Sequence, residues 1–183
     1  SRTRPYLTTV RPGMLAPLAP DEGRRVEVER VPLPSYDGPR LEVLERRRTE
    51  AAEGVALESA PVVLAVGKGV GGPEGVARVA GLAGRLGAAL GATRDVTDAG
   101  WLPRQVQVGL TGRAVAPEVY VAVGVRGAFN HMVGVQKAGT IVAVNTNPRA
   151  PIFQQCDYGV VGDWATHLGP VVEALARVLA DAR

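Results

Sequence analysis

Hydrophobic positions along the chain fall into two textures that meet near residue 60. Before that point Pro5, Pro12, Pro17, Pro20, Pro32, Pro34 and Pro39 break up any helix, because each lacks an N–H and its ring clashes with the preceding turn. Val26–Val31 alternates apolar and charged residues (V-E-V-E-R-V), and Leu41–Glu45 is a second extended piece. A period of two predicts half-exposed strands. Residues 1–60 therefore read as an N-terminal extended segment with antiparallel edge strands, part of the same domain as the rest.

From Pro61 the apolar residues run together. PVVLAV (61–66) is continuous and ends in glycines. Pro73–Leu90 has helical spacing, with Val76, Val79, Ala80, Ala83, Leu86 and Leu90 on one side. Further strands are predicted at Ala89–Thr93, Gln105–Val108, Val119–Val123, Thr140–Val144 and Tyr158–Val161. Helices are predicted at Ala128–Lys137 and Pro170–Ala182, the latter carrying Val171, Leu175, Val178 and Leu179. Val-rich runs alternating with helices imply a parallel sheet covered on both faces. The fold class is α/β, a doubly wound, Rossmann-like parallel sheet over residues 61–183.

Composition narrows this only a little. The chain has 183 residues, 46% hydrophobic and 21% charged, enough for one sizeable core. Aromatic residues make up 4%, so Val, Leu and Ala must fill that core. The net charge of +3 is carried almost wholly by arginine. Its clusters at Arg2–Arg11, Arg24–Arg30 and Arg46–Arg48 are mixed with glutamates, which reads as solvated faces rather than a nucleic-acid stripe. Cys156 is the single cysteine, which rules out an intramolecular disulfide and fits a reducing, cytoplasmic setting. No apolar run approaches the ~18 residues of a membrane span. No His/Cys/Asp spacing suggests a metal, and no nucleophile–base pair suggests a hydrolase.

The polar residues fall in a telling place. Lys68, Arg94, Thr111, Arg126, Asn145 and Asp163 each follow a strand candidate, beside a glycine or a turn. Ligands of open α/β sheets bind at the carboxyl ends of the strands, near the point where strand order reverses. These six residues predict one binding crevice for a large, polar, anionic cofactor. Gly67–Gly72 also contains G-x-G-x-x-G between a strand and a helix, with Asp95 and Asp98 near the distance of a ribose-binding acid. That is the dinucleotide fingerprint, so an NAD-binding oxidoreductase domain is one alternative. A cofactor-less subunit-docking module is another. Gly124–His131 is a second glycine-flanked strand-to-helix turn, suited to an anion. His131, early in that helix, is placed to donate to a polarised carbonyl; His167 reads as structural.

The blocks TTVRPGM (8–14), GKG (67–69), GATRDVTDAG (91–100), QVGLTG (107–112), VAPEVYVAVGVRGAFNH (115–131), IVAVNTNPRAPIF (141–153) and DYGVVGDW (157–164) occur in this order. Together they resemble the electron transfer flavoprotein alpha subunit, or FixB, family. The resemblance implies a flavoprotein domain that binds FAD in a heterodimer with a beta subunit. Such a carrier accepts electrons from primary dehydrogenases, including those of the acyl-CoA type, and passes them to a quinone oxidoreductase; it is not an enzyme acting on a substrate. The resemblance further implies that Arg94 lies against the flavin ring and stabilises its reduced, anionic forms. Thr111 would hydrogen-bond flavin N5, and His131 would sit near the O2 carbonyl. Thr93, Gln107, Val108, Gly109 and Leu110 would line the ring and ribityl chain. Arg126, Gly127, Ala128, Phe129 and Asn130 would follow the chain and pyrophosphate. Lys68, Asn145, Asp163 and Trp164 would contact the phosphate and adenosine side. The chain departs from the family at Lys68 (usually arginine), Leu110 (usually glutamine), Arg126 (usually serine) and Phe129-Asn130 (usually Ile-Gln). The family's alpha subunit also carries a further domain before the TVRPG block, so the chain reads as the C-terminal part of a longer protein or as a short relative.

Overall fold

The computed structural model describes residues 57–181 throughout and, before them, residues 18–23, 25, 27–32, 35, 38, 42 and 44. Contacts divide the chain into residues 1–50 and 51–183. In the first unit the expected strand at Val26–Val31 does not form over the described residues 27–31, which are exposed and carry no regular structure. Alternation predicts which side of a strand faces a core, but a strand still needs a partner ladder to exist. Of the expected strand at Leu41–Glu45, Glu42 and Leu44 are exposed and unstructured, and the other residues lie outside the described set.

The second unit is a parallel sheet with helices. Its strands are β1 (Val62–Val66), β2 (Ala89–Ala92), β3 (Val119–Val123), β4 (Thr140–Asn145) and β5 (Tyr158–Val161). The helices are α1 (Pro73–Leu86), α2 (Arg94–Asp98), α3 (Phe129–Met132) and α4 (Trp164–Asp181). All neighbours are parallel, in the order β2-β1-β3-β4-β5. Strand order reverses at β1, so the crevice between the ends of β1 and β3 is the switch point.

Side chains alternate across the sheet, and two cores result. Val62, Leu64 and Val66 of β1 join Val121, Val123, Val142 and Val144 on one face, under Val76, Val79 and Ala83 of α1 and Trp164, Leu168 and Val172 of α4. Val63 and Ala65 join Tyr120, Ala122 and Ala143 on the other, under Val108, Met132, Val135 and Ile152.

Four expected elements change in detail. The helix expected to reach Leu90 stops at Leu86, because Gly87 turns left-handed (φ 65°) and its N–H bonds back to the last turn, as C-terminal glycines do. Gln105–Val108 is not a strand: Arg104–Val106 forms a single 3-10 turn, and only an isolated bridge joins Gln107 to Ala92. The helix expected at Ala128–Lys137 shrinks to Phe129–Met132 plus a 3-10 turn at Val133–Val135. The last helix begins six residues before Pro170, at Trp164. Asp163 starts it: its Oδ1 accepts from Ala165 N–H at 3.0 Å, an N-cap bond. Among the described residues, no helix is long and apolar enough to cross a membrane.

Candidate functional site

Gly67 and Gly124 shape the cleft. The backbone turns that leave β1 and β3 cross in contact: a Cβ on Gly67 would stand 2.2 Å from Gly124 O, and Gly124 itself is left-handed (φ 61°). Gly67 N–H donates to Val123 O at 2.8 Å and Gly69 N–H to Gly124 O at 3.0 Å. The first two glycines of the G-x-G-x-x-G are thus required by this backbone-to-backbone approach, which removes much of the motif's weight as a dinucleotide signal.

A cleft of about 570 Å³ opens where these turns meet the ends of β2 and β4. Lys68, Arg94, Arg126 and Arg149 bring four cationic side chains to it, against the one carboxylate of Asp95. The surplus of positive charge suits an anionic ligand. Of the residues expected from sequence, Lys68, Thr93, Arg94, Arg126, Gly127, Ala128, Asn130, His131 and Asn145 line it together. Asp95, Asn147, Arg149, Ala150 and Pro151 line it as well. Asp95 reads in the sequence only as a candidate ribose-binding acid, and the other four carry no assignment there, although Asn147–Pro151 lies inside the N-T-N-P-R-A-P-I-F block.

Each lining group is set by its local structure. Arg94 is the first residue of α2; its Nε donates to Asp98 Oδ2 at 3.0 Å. Arg104 Nη2 reaches the other oxygen of Asp98 at 3.0 Å. The Arg94 hydrogen bond, with both cations behind it, holds the Asp98 carboxyl below its ordinary range. Lys68 Nζ stands 5.8 Å from the centroid of the Trp101 ring. Asn145 Nδ2 donates to Val125 O at 2.8 Å while its Oδ1 accepts from Asn147 N–H at 2.9 Å, pinning the turn after β4 to the turn after β3.

His131 is 7% exposed and has both ring nitrogens occupied. Nδ1 lies 3.1 Å from Val108 O, which can only accept, so Nδ1 carries the proton. Nε2, 2.8 Å from the Tyr120 hydroxyl, then accepts from it. Burial lowers the imidazole pKa to about 4, so the ring is neutral at pH 7. In this arrangement it has no N–H left for a ligand, unlike the donor anticipated from the sequence.

Thr93 stands between β2 and α2 as the residue that caps α2, and its hydroxyl makes no capping bond. Among the described residues, Thr93 Oγ1 is the buried side-chain polar atom with no hydrogen-bond partner. A buried, unmatched hydroxyl in a ligand-sized cleft fits a polar ligand group.

The remaining expected residues do not line the cleft. Gln107, Val108, Gly109, Leu110 and Thr111 form a closed loop beside it. Arg113 N–H donates to Gln107 O at 2.7 Å, and Leu110 N–H donates to Asn130 O at 2.6 Å. Gly109 is obligatory there: at φ 133°, a Cβ would lie 2.5 Å from Asn130 O. Leu110 and Phe129 are exposed, at 47% and 73%. Asp163 caps α4. Trp164 is buried in the helix-clad core, with the Arg78 guanidinium 4.9 Å from its ring centroid. It also borders a second cavity of about 560 Å³ around Val70–Gly75.

Residues 56–136 match the family model of the electron transfer flavoprotein FAD-binding domain. Over this stretch the chain is similar to the electron transfer flavoprotein alpha subunits. The subunit alpha of Thermoanaerobacterium thermosaccharolyticum is 39% identical over 176 residues, which cover 96% of this chain and 53% of that protein. Protein FixB of Azotobacter vinelandii is 39% identical over 174 residues, 94% of this chain and 48% of its own length. The subunit alpha of Mycobacterium tuberculosis strain H37Rv is 52% identical over 102 residues, 56% of this chain and 32% of that protein. The chain spans about half the length of the first two. Most cleft residues, from Lys68 to His131, lie inside the stretch that matches the electron transfer flavoprotein domain; Asn145–Pro151 follow it.

Proposed function

We propose that this chain is the FAD-binding part of an electron carrier and that FAD occupies the cleft at the β1/β3 switch point. One observation carries the reading: four cations and the unpartnered Thr93 hydroxyl converge on one cleft of about 570 Å³. FAD, when bound, supplies the electron-accepting ring. The protein's share is to bind and orient it and to bias its charge. Lys68, Arg126 and Arg149 would neutralise the pyrophosphate, and Thr93 would give its hydroxyl a partner. Arg94, steered by Asp98 through Nε, would direct its remaining N–H groups to the ring and favour its reduced, anionic form. Thr111 would present its hydroxyl to N5. His131 enters as a neutral pin that holds the Val108 carbonyl and Tyr120, and with them the loop, in place.

On this reading the chain works with a beta-type subunit that completes the site, accepts electrons from acyl-CoA-type or other primary dehydrogenases, and passes them to an oxidoreductase such as a quinone reductase. A cytoplasmic setting belongs to the same proposal. An NAD site at Gly67–Gly72 is not favoured, since Gly67 and Gly69 already answer to the contact with Gly124. A docking module without cofactor gives no reason for an unpartnered hydroxyl amid four cations.

The test is to co-express the chain with a beta-type partner, purify the complex and scan its absorbance. One FAD per complex, with its yellow absorbance, is expected. Tight NAD binding with no flavin under any condition would overturn the reading.

A further inference from the structure

Behind the loop that carries Thr111 runs a short chain of polar groups. Thr97, on α2, is 6% exposed, and Gln107 is 3% exposed. Thr97 Oγ1 lies 2.8 Å from Gln107 Oε1 and 3.0 Å from Arg94 O; Gln107 Nε2 lies 2.9 Å from Thr111 Oγ1. A buried glutamine is costly unless its amide is satisfied, so its presence calls for a reason.

Counting protons supplies one. The Thr97 hydroxyl has a single proton and two acceptors within reach. When that proton goes to Gln107 Oε1, the amide presents Nε2 to Thr111 and donates to its oxygen. Thr111 is then loaded from behind, and its own proton must leave the loop on the far side. With the amide turned over, Thr97 would donate to Arg94 O, and Gln107 Oε1 would draw the Thr111 proton inward. The backbone fixes the separation of these groups, because Arg113 N–H closes the loop on Gln107 O at 2.7 Å and Gly112 leaves no room for a Cβ there.

We propose that Gln107, backed by Thr97, is a positioning residue that aims the Thr111 hydroxyl proton out of the loop, so that Thr111 meets an acceptor atom of the cofactor as a donor. The inference rests on the reading that Thr111 faces flavin N5. It gives Gln107 a place that the family resemblance does not: both ends of its amide are engaged behind the loop, and it does not line the cleft. N5 of the oxidised ring carries a lone pair and no proton, so only a correctly aimed donor serves it. A donor aimed in advance strengthens its bond as electron density rises on the acceptor, without reorganising.

The test is a double-mutant cycle on the FAD reduction potential, measured in the complex of the full chain with its beta-type partner. Gln107→Met is expected to shift the reduced-to-oxidised ratio at fixed potential by about two- to fivefold, the worth of part of one hydrogen bond. The shift should have the same direction as that of Thr111→Val and be smaller. In the Thr111→Val background the effect of Gln107→Met should vanish. An equal Gln107→Met shift in both backgrounds overturns the proposal, as does no shift in the wild-type background. Should Gln107→Met fail to fold, Thr97→Val, close in shape, enters the same cycle with the same outcomes. Failure of the underlying reading has a separate signature: Thr111→Val alone leaves the potential unmoved while FAD stays bound, and the proposal falls with it.

Discussion

On one face of the sheet, α1 and α4 lay Val76, Val79, Leu168 and Val172 over Leu64, Val66, Val121 and Val144. On the other, Val108, Met132, Val135 and Ile152 arrive on loops and single turns. Both faces exclude water, but by different means. The helical face repeats its contacts every turn of two long helices, so the cost of ordering the chain is shared among many similar contacts. The loop face is held instead by backbone bonds between separate turns, such as Leu110 N–H to Asn130 O and Val115 N–H to Gly134 O, with no repeat along the chain. Polar anchors take over there, above all the buried His131 bridge between Tyr120 and the Val108 carbonyl. The cleft opens beside the loop face, where irregular backbone can bring polar groups together. Stability and chemistry are therefore divided between the two faces, and that division can be broken in graded steps.

The largest effect is expected on the helical face. Leu168 of α4 is fully buried, and Leu168→Ala should cost about 2–5 kcal/mol through lost transfer energy and the cavity left behind. Denaturant unfolding measures it. If the faces are divided as described, any FAD still bound to folded protein should keep its potential.

Next comes the polar anchor of the loop face. His131 has its pKa lowered from 6.5 to about 4 by burial. The folded state therefore binds fewer protons than the unfolded state between those values, and stability rises with pH across that window. Acidifying from about pH 6.5 to about pH 4 should remove on the order of 3 kcal/mol through this group. His131→Gln should flatten that part of the stability–pH curve. An unchanged slope would mean that the imidazole is not buried as a neutral ring.

The two groups proposed to face the cofactor, Arg94 and Thr111, should leave stability nearly alone and move the potential instead. Arg94→Ala removes a cation and should lower the first reduction potential, by more than any neutral donor does. Spectroelectrochemical titration reads it, and an unmoved potential would take Arg94 away from the ring. Thr111→Val is the smallest step. A net hydrogen bond of roughly 0.5–1.5 kcal/mol, at ~59 mV per tenfold for one electron, gives a drop of roughly 20–65 mV. Abolished FAD binding with no change in potential would mark Thr111 as a turn residue.

The helical face was the legible one. The period of α1 and the continuous Val runs of β1, β3 and β4 stand in the sequence because each is a local repeat. Lys68, Arg94, Arg126 and Asn145 were legible for a related reason: parallel strands place every strand end on the same side, so residues far apart in sequence must meet there. Gln105–Val108 misled because a run of alternating residues does not show whether a neighbouring strand will pair with it along its length; the chain turns back after a single bridge to Ala92. Pro170 carries the sequence signal of a first helical turn, but the Asp163 cap starts α4 at Trp164.

The sequence by itself determined the sheet, its two apolar faces and the gathering of polar groups at its carboxyl end, because periodicity and strand direction are local properties that topology only multiplies. Tertiary structure alone decided which polar groups stay free. Thr93 keeps an unpartnered hydroxyl, His131 has both nitrogens taken, and Gln107 turns behind its loop rather than into the cleft. Hydrogen-bond satisfaction depends on atoms brought within about 3 Å by the whole fold, and no spacing along the chain encodes that distance.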